Sequence, residues 1–147
     1  MAALIWKARR RSPSIDIAAL TRAVRAVAAE RPGHIYEVGD WETGATCDYV
    51  RDGKPSCLIA QAAARIGIPL DVLQCWDAQS NSSIAIILEA MYGIDIDAPE
   101  VGWLRHVQFA QDKKEAWGEA VRAADAGGRP IRLSESETGE KAAGYAR

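Results

Sequence analysis

The chain has 147 residues, of which 48% are hydrophobic and 26% are charged, a composition typical of a soluble globular protein with one core. Its formal net charge of -2 gives no general attraction for nucleic acid or an anionic membrane, so either would need a local basic patch. Three cysteines without framework spacing argue against a disulfide scaffold and favour a reducing cytosol. No apolar run approaches the roughly 20 residues that span a bilayer.

Three segments are predicted from the distribution of charged and apolar residues. Residues 1–15 form a basic N-terminal arm that carries the consecutive Arg9, Arg10 and Arg11. Residues 16–133 form a single globular domain. Residues 134–147 are predominantly polar, and such a segment buries too little apolar surface to offset its ordering entropy, so we expect a disordered tail.

The first third of the domain is predicted to be a helix followed by strands. Apolar residues recur at near-helical spacing over 16–31, and the Pro-Gly pair that follows ends the helix. Alternating apolar and polar residues predict a strand at 34–38, and a second strand is expected at 47–50, with an acidic loop between them. Asp52-Gly53 is a strong hairpin signal, because glycine accepts the positive φ of a primed turn.

Four further helices are predicted. They are a helix capped by Ser56 and ended by Gly67, a short helix from Pro69, a helix that starts near Asn81 to Ser83 and ends at Gly93, and a long helix from Pro99 to about Ala126. A short strand could follow at 130–133. The expected fold is therefore a helix-dominated α+β domain with about five helices and one small β-hairpin.

Residues 59–77 fit the helix-turn-helix template. Ala63 would lie where the helices cross, and Gly67 would form the turn. The presumed recognition helix offers Gln74 as a base reader, but it also carries Asp71 and Asp77, which repel phosphate. The alternative is two helices that pack through small residues. A basic rim from Arg51, Lys54 and Arg65 would favour DNA binding, whereas an acidic rim from the two aspartates would exclude it.

The cysteines suggest two other kinds of site, a catalytic cysteine and a zinc site. Cys57 opens a helix, where the helix dipole lowers a thiol pKa, and His106 follows it, which loosely resembles a papain-like cysteine hydrolase. The surrounding Ser-Cys-Leu-Ile departs from that family's pattern, and the ordinary role of such a cysteine is a small buried hydrophobe. The spacing of Cys47, Cys57 and Cys75 does not suit zinc. We therefore predict no catalytic residue, metal or cofactor, and no small-molecule substrate.

Exposed aromatic and polar residues near the hairpin are the candidate partner contacts. Trp41 lies in the acidic loop and is hard to bury fully, and exposed aromatics often anchor partners. With one face of the long helix, the candidate partner-binding residues are Trp41, Tyr49, Arg51, Lys54 and Gln74.

The segment Cys47-Asp48-Tyr49-Val50-Arg51-Asp52-Gly53-Lys54-Pro55-Ser56-Cys57-Leu58-Ile59 resembles a group of small, mostly uncharacterised proteins of actinobacterial phages and prophages. The resemblance continues at residues 67–70, 110–112 and 117–120. It implies an accessory protein in the cytoplasm of a bacterial host and supplies no catalytic residues. The leading hypothesis is a non-enzymatic protein that binds a protein partner or itself. A helix-turn-helix regulator is the alternative, and a cysteine hydrolase is the remote one.

Overall fold

The computed structural model describes residues 14–37, 48–79 and 81–127. Within these residues the chain forms six helices and one two-stranded antiparallel sheet, so it is a helix-dominated α+β domain with one helix more than predicted. The elements are α1 (Ile17–Glu30), β1 (Val50–Arg51), β2 (Lys54–Pro55), α2 (Leu58–Arg65), α3 (Leu70–Asp77), α4 (Ile84–Tyr92), α5 (Pro99–Asp112) and α6 (Trp117–Asp125). The N-terminal arm up to residue 13, the loop 38–47 and the chain beyond residue 127, including the predicted strand at 130–133 and the tail, lie outside the described residues.

Helix α1 forms where its apolar spacing predicts. Asp16 caps it, because the carboxylate accepts a hydrogen bond from the Ala19 N–H at 3.0 Å. Its buried stripe, which includes Leu20 and Val24, faces the core formed with α2, α5 and α6. The helix ends at Glu30, just before Pro32, as expected.

The alternating pattern predicted a strand at 34–38, but no strand forms at 34–37, the part of this segment that the structure describes. Ile35 instead makes an isolated antiparallel bridge with Ala116, directly before α6. The Pro32 and His34 carbonyls accept hydrogen bonds from the Gly118 and Trp117 N–H groups at 2.8 and 2.9 Å, and so cap α6 from a distant part of the chain. The segment after α1 is therefore held by a helix N-terminus, since those amides have no partner within their own helix.

The prediction of one long helix from Pro99 to about Ala126 is wrong, because the chain reverses direction between α5 and α6. Lys114 adopts a left-handed conformation with φ of 70°. The Lys114 and Glu115 N–H groups bond back to the Gln111 and Ala110 carbonyls at 2.9 and 3.1 Å, which is a Schellman motif. This turn lets α6 pack against α5. Apolar periodicity did not show the break, because the apolar spacing resumes on the far side without a glycine or proline.

A cluster of polar and aromatic side chains around Asp125 joins α1, α5 and α6 at the surface. The Arg25 guanidinium makes two hydrogen bonds to its carboxylate, at 2.6 and 2.8 Å, and the Trp103 indole N–H donates to the same carboxylate at 2.9 Å. Arg25 also lies over the Trp103 ring, 4.6 Å from the centroid. One carboxylate on α6 thus fixes a side chain from each of two other helices. No helix in the described residues is long and apolar enough to cross a membrane.

Candidate functional site

Most of the partner-binding residues predicted from the sequence lie on or beside the β1–β2 hairpin. The turn of this hairpin forms as predicted. Asp52 and Gly53 have φ of 56° and 73°, the two positive values of a primed two-residue turn. Val50 pairs with Pro55 and Arg51 pairs with Lys54. The Ser56 N–H bonds to the Tyr49 carbonyl at 2.8 Å and extends the ladder by one step. Of the strand predicted at 47–50, only Val50 is in β1.

Helix α3 is fixed against this hairpin by Asp77. Its two carboxylate oxygens accept hydrogen bonds from the Tyr49 and Val50 N–H groups, at 2.8 and 3.0 Å. The Trp76 ring meets the Tyr49 ring edge to face, with centroids 5.2 Å apart. A buried aromatic pair and a charge-assisted pair of hydrogen bonds therefore hold α3 and the hairpin in one orientation.

The Tyr49 hydroxyl continues this connection into the interior. It donates to the Ser82 carbonyl and accepts from Gln108 Nε2 at 2.8 Å. Gln108 Oε1 in turn accepts from the Ile84 N–H, the first amide of α4, at 2.8 Å. The Tyr49 side chain is completely buried. Tyr49 therefore holds the fold together from within, and a partner on this side would contact the hairpin around it rather than its ring.

A second buried glutamine has the same role for α2. Gln111 Oε1 accepts from the Leu58 N–H, the first amide of that helix, at 2.8 Å, and both residues are fully buried. The helix begins after Cys57 rather than at the predicted cap Ser56, and the Cys57 side chain makes no capping bond. The Ser56 hydroxyl pairs with the Tyr36 hydroxyl at 2.9 Å instead. The sequence prediction missed both glutamines, although their spacing places them beside the apolar stripe of α5.

The predicted partner-binding residues occupy different environments. Lys54 on the hairpin and Gln74 on α3 are exposed, as a binding role requires. Arg51 is half-buried and bonded, to Asp48 at 2.9 Å and to the Glu37 carbonyl at 3.0 Å. Trp41 lies outside the described residues. The structure thus places Lys54 and Gln74 at the surface of two elements that are locked together.

Two local features of the predicted helix-turn-helix template are present in α2, α3 and the turn between them. Gly67 forms the turn with φ of 102°, and Leu73 and Trp76 are buried as that template requires. The rim differs from the one that DNA needs. Arg65 is paired with Glu30 at 2.6 Å, while the exposed face of α3 presents Asp71 and Gln74. Of the three predicted rim cations, only Lys54 has no ion pair within the described residues.

The proposed nucleophile is placed where a substrate does not reach it. Cys57 is fully buried as the residue preceding α2. His106 lies half-buried on α5, where burial, with a smaller contribution from the neighbouring Arg105, lowers its pKa. In the part of the chain that the structure describes, no three His, Cys, Asp or Glu side chains are grouped so that they could hold a metal ion.

Searches with this chain against protein-family models, curated proteins and solved structures found no match. Its function must therefore be inferred from the geometry of the fold.

Proposed function

We propose that this chain is a non-enzymatic accessory protein of the kind encoded by actinobacterial phages and prophages, which acts in the host cytoplasm by binding a protein partner or by self-association. The observation that supports it most is the clamped surface, which we define as the hairpin and α3 held together by Asp77 and the Tyr49–Trp76 pair. Lys54 and Gln74 are exposed on it.

Rigidity favours binding because a surface that is already ordered loses less conformational entropy when a partner docks. Asp77 and Trp76 supply that order before any partner arrives. Arg51 adds to it, since its guanidinium is held by Asp48 and lies 5.1 Å from the centroid of the Tyr36 ring. The burial of Cys57 removes the main support for the hydrolase hypothesis.

DNA binding is the alternative, and its support is the turn at Gly67 between α2 and α3 together with the buried Leu73 and Trp76 that the helix-turn-helix template requires. Specific DNA binding draws much of its affinity from lysine and arginine contacts to phosphate. Arg51 and Arg65 are already engaged with Asp48 and Glu30, and Asp71 is exposed on α3. These charges favour a protein partner over a phosphate backbone.

The test is affinity capture from an actinobacterial lysate, with and without nuclease, followed by identification of the captured protein and titration of the purified pair. Wild type is compared with Lys54→Ala, Gln74→Ala and Trp41→Ala. The matched control is Arg22→Ala, which removes one exposed cation from α1. Sedimentation over a concentration range measures self-association of the same variants.

We expect a nuclease-resistant complex, or a self-associated form, that the hairpin and α3 variants weaken by at least about fivefold, which corresponds to about 1 kcal/mol at a contact residue. Arg22→Ala should leave it unchanged. Recovery of DNA alone, lost with Gln74→Ala, would overturn the proposal in favour of a regulator. Equal weakening by Arg22→Ala would show that the clamped surface is not the contact.

A further inference from the structure

Residues 66–104 form a stretch of the chain without a single lysine, arginine or histidine. The same stretch contains six carboxylates, namely Asp71, Asp77, Glu89, Asp95, Asp97 and Glu100. It supplies all of α3 and α4 and the first turns of α5. One continuous part of the fold therefore carries negative charge alone.

This charge is not compensated by neighbouring elements of the described structure. Five salt bridges are present there, and all of them join partners outside residues 66–104: Arg25–Asp125, Arg51–Asp48, Arg65–Glu30, Lys114–Glu37 and Arg122–Glu119. Asp77 is the one of the six that is engaged with the hairpin, through backbone N–H groups. The other carboxylates have no cation beside them in the residues described.

Half-exposed apolar side chains are concentrated in the same stretch. Eight of the twelve partly buried hydrophobic residues that pack on the described core belong to it, and Leu70 is exposed. The Trp76 indole N–H donates to the Tyr92 hydroxyl at 3.3 Å, which joins α3 to the end of α4. We call the outward side of residues 70–75 and 89–100 the base-free surface. Between Ile94 and Ala98, the exposed Asp95 and Asp97 alternate with partly buried apolar residues.

The first 13 residues have the opposite chemistry. Leu4, Ile5 and Trp6 precede the cations Lys7, Arg9, Arg10 and Arg11, and no carboxylate is present. Of the 18 lysines and arginines, 4 lie in this arm, and of the 20 aspartates and glutamates, 6 lie in residues 66–104, so the remaining 14 of each balance. The arm and residues 66–104 thus carry opposite charge, and the rest of the chain has a formal net charge of zero.

The arm is long enough to reach this surface. The described chain begins at Ser14, beside the start of α1. Arg25, about 12 Å further along that helix at 1.5 Å per residue, lies over Trp103 in the first turns of α5. Thirteen extended residues span roughly 40 Å, and the cations, which lie three to seven residues before Ser14, reach roughly 10–25 Å. The cations can therefore reach the first turns of α5, and Leu4, Ile5 and Trp6 can extend beyond them.

We propose that residues 1–13 of the N-terminal arm bind the base-free surface of their own chain, with Leu4, Ile5 and Trp6 on the partly buried apolar side chains and the cations against the carboxylates. Because the arm is tethered, its effective concentration at the surface is on the order of millimolar, so weak individual contacts suffice. A basic partner would have to displace it. The proposal concerns the isolated chain and does not depend on the function proposed above.

The native cysteines allow a direct test by paramagnetic relaxation. Cys75 is exposed on α3 and Cys57 is buried, so Cys47→Ser leaves Cys75 as the accessible thiol for a nitroxide label. We expect the label to abolish the amide signals of residues 4–11 in the ¹⁵N-labelled full chain, and reduction of the nitroxide to restore them. Replacement of Arg9, Arg10 and Arg11 by glutamate should keep the signals visible with the label oxidised. About 1 M NaCl, where the Debye length falls to about 3 Å, should act in the same direction.

The matched control moves the label to an exposed position on α1, in Cys47→Ser, Cys75→Ser, Ala29→Cys. Equal loss of the arm signals from both labels, or no loss from Cys75, would overturn the proposal. A mixture of ¹⁵N-labelled chain without nitroxide and unlabelled chain with nitroxide separates the two possible sources of the arm. Loss of signal in that mixture would show that the arm binds a second copy, which would also overturn binding in cis. None of these outcomes depends on whether a partner is captured from lysate.

Discussion

Replacement of Gln111 by leucine tests the inference that α5 supplies the cap of α2. Leucine is close to glutamine in size, so the change removes the acceptor of the Leu58 N–H while leaving little cavity. A buried amide that loses its acceptor costs about 1–3 kcal/mol. Leu58 and Gln111 are both fully buried, so water does not replace the bond without rearrangement. We expect a loss of about 2 kcal/mol in the free energy of unfolding.

Urea denaturation of wild type and Gln111→Leu measures this loss, and a fall of about 4–8 °C in Tm should accompany it. The reference variant is Asp16→Ala, which removes an exposed cap and should cost about 1 kcal/mol. Hydrogen exchange locates the effect, because the Leu58 amide should lose protection selectively in Gln111→Leu. An unfolding free energy within about 0.5 kcal/mol of wild type, with Leu58 still protected, would refute the capping role.

Two further predictions concern backbone approach and pH. A Cβ added at Gly118 would lie 2.9 Å from Pro32 Cβ, whereas a Cβ added at Gly102 would meet nothing within 4 Å. Gly118→Ala should therefore destabilise the protein by about 1–3 kcal/mol, and Gly102→Ala should stabilise it by about 0.5–1 kcal/mol. The two variants should shift the midpoint of urea denaturation in opposite directions. The hydrogen bonds from Arg25 hold the pKa of Asp125 below its ordinary value of 3.8, so the stabilisation is present above that pH and is lost as pH falls through the lowered value. Because the pair is half-exposed, the advantage of wild type over Asp125→Asn should be below about 1 kcal/mol near neutral pH and should shrink in acid; an advantage that is constant with pH would contradict this assignment.

The features that the sequence predicted correctly are those whose causes are local. Asp52-Gly53 specifies its turn through the positive φ of two adjacent residues. Gly67 and Gly93 end α2 and α4 in positive-φ conformations, for the same reason. Each of these signals acts within a few residues of the structure that it determines.

The errors arise where contacts distant in the chain decide the structure. Lys114 takes a position that Schellman motifs usually give to glycine, so neither composition nor periodicity revealed the end of α5. Ser56 has the chemistry of an N-cap but bonds to Tyr36. Tyr49 was predicted to be an exposed contact because it lies next to the hairpin. Its side chain is instead fully buried, and its hydroxyl bonds to Gln108, 59 residues away.

The candidate site divides in the same way. That Lys54 would be exposed follows from its place beside the turn, and that Gln74 would be exposed follows from the period of α3. The use of Asp77 could not be predicted, since a carboxylate on a short helix is ordinarily solvated and this one accepts from amides 27 and 28 residues earlier. The Asp77 carboxylate is therefore bonded to the hairpin rather than exposed on the rim of α3.

The capping of α2, α4 and α6 by groups from elsewhere in the chain has a consequence for how the protein folds. The acceptors for their first amides are Gln111, Gln108 and the carbonyls after α1, and the helices themselves are only eight or nine residues long. Isolated helices of that length are unstable in water. These three helices should therefore form together with the tertiary contacts rather than before them, so that the chain passes between unfolded and native states in a single cooperative transition, and peptides of the separate helices should be largely unstructured.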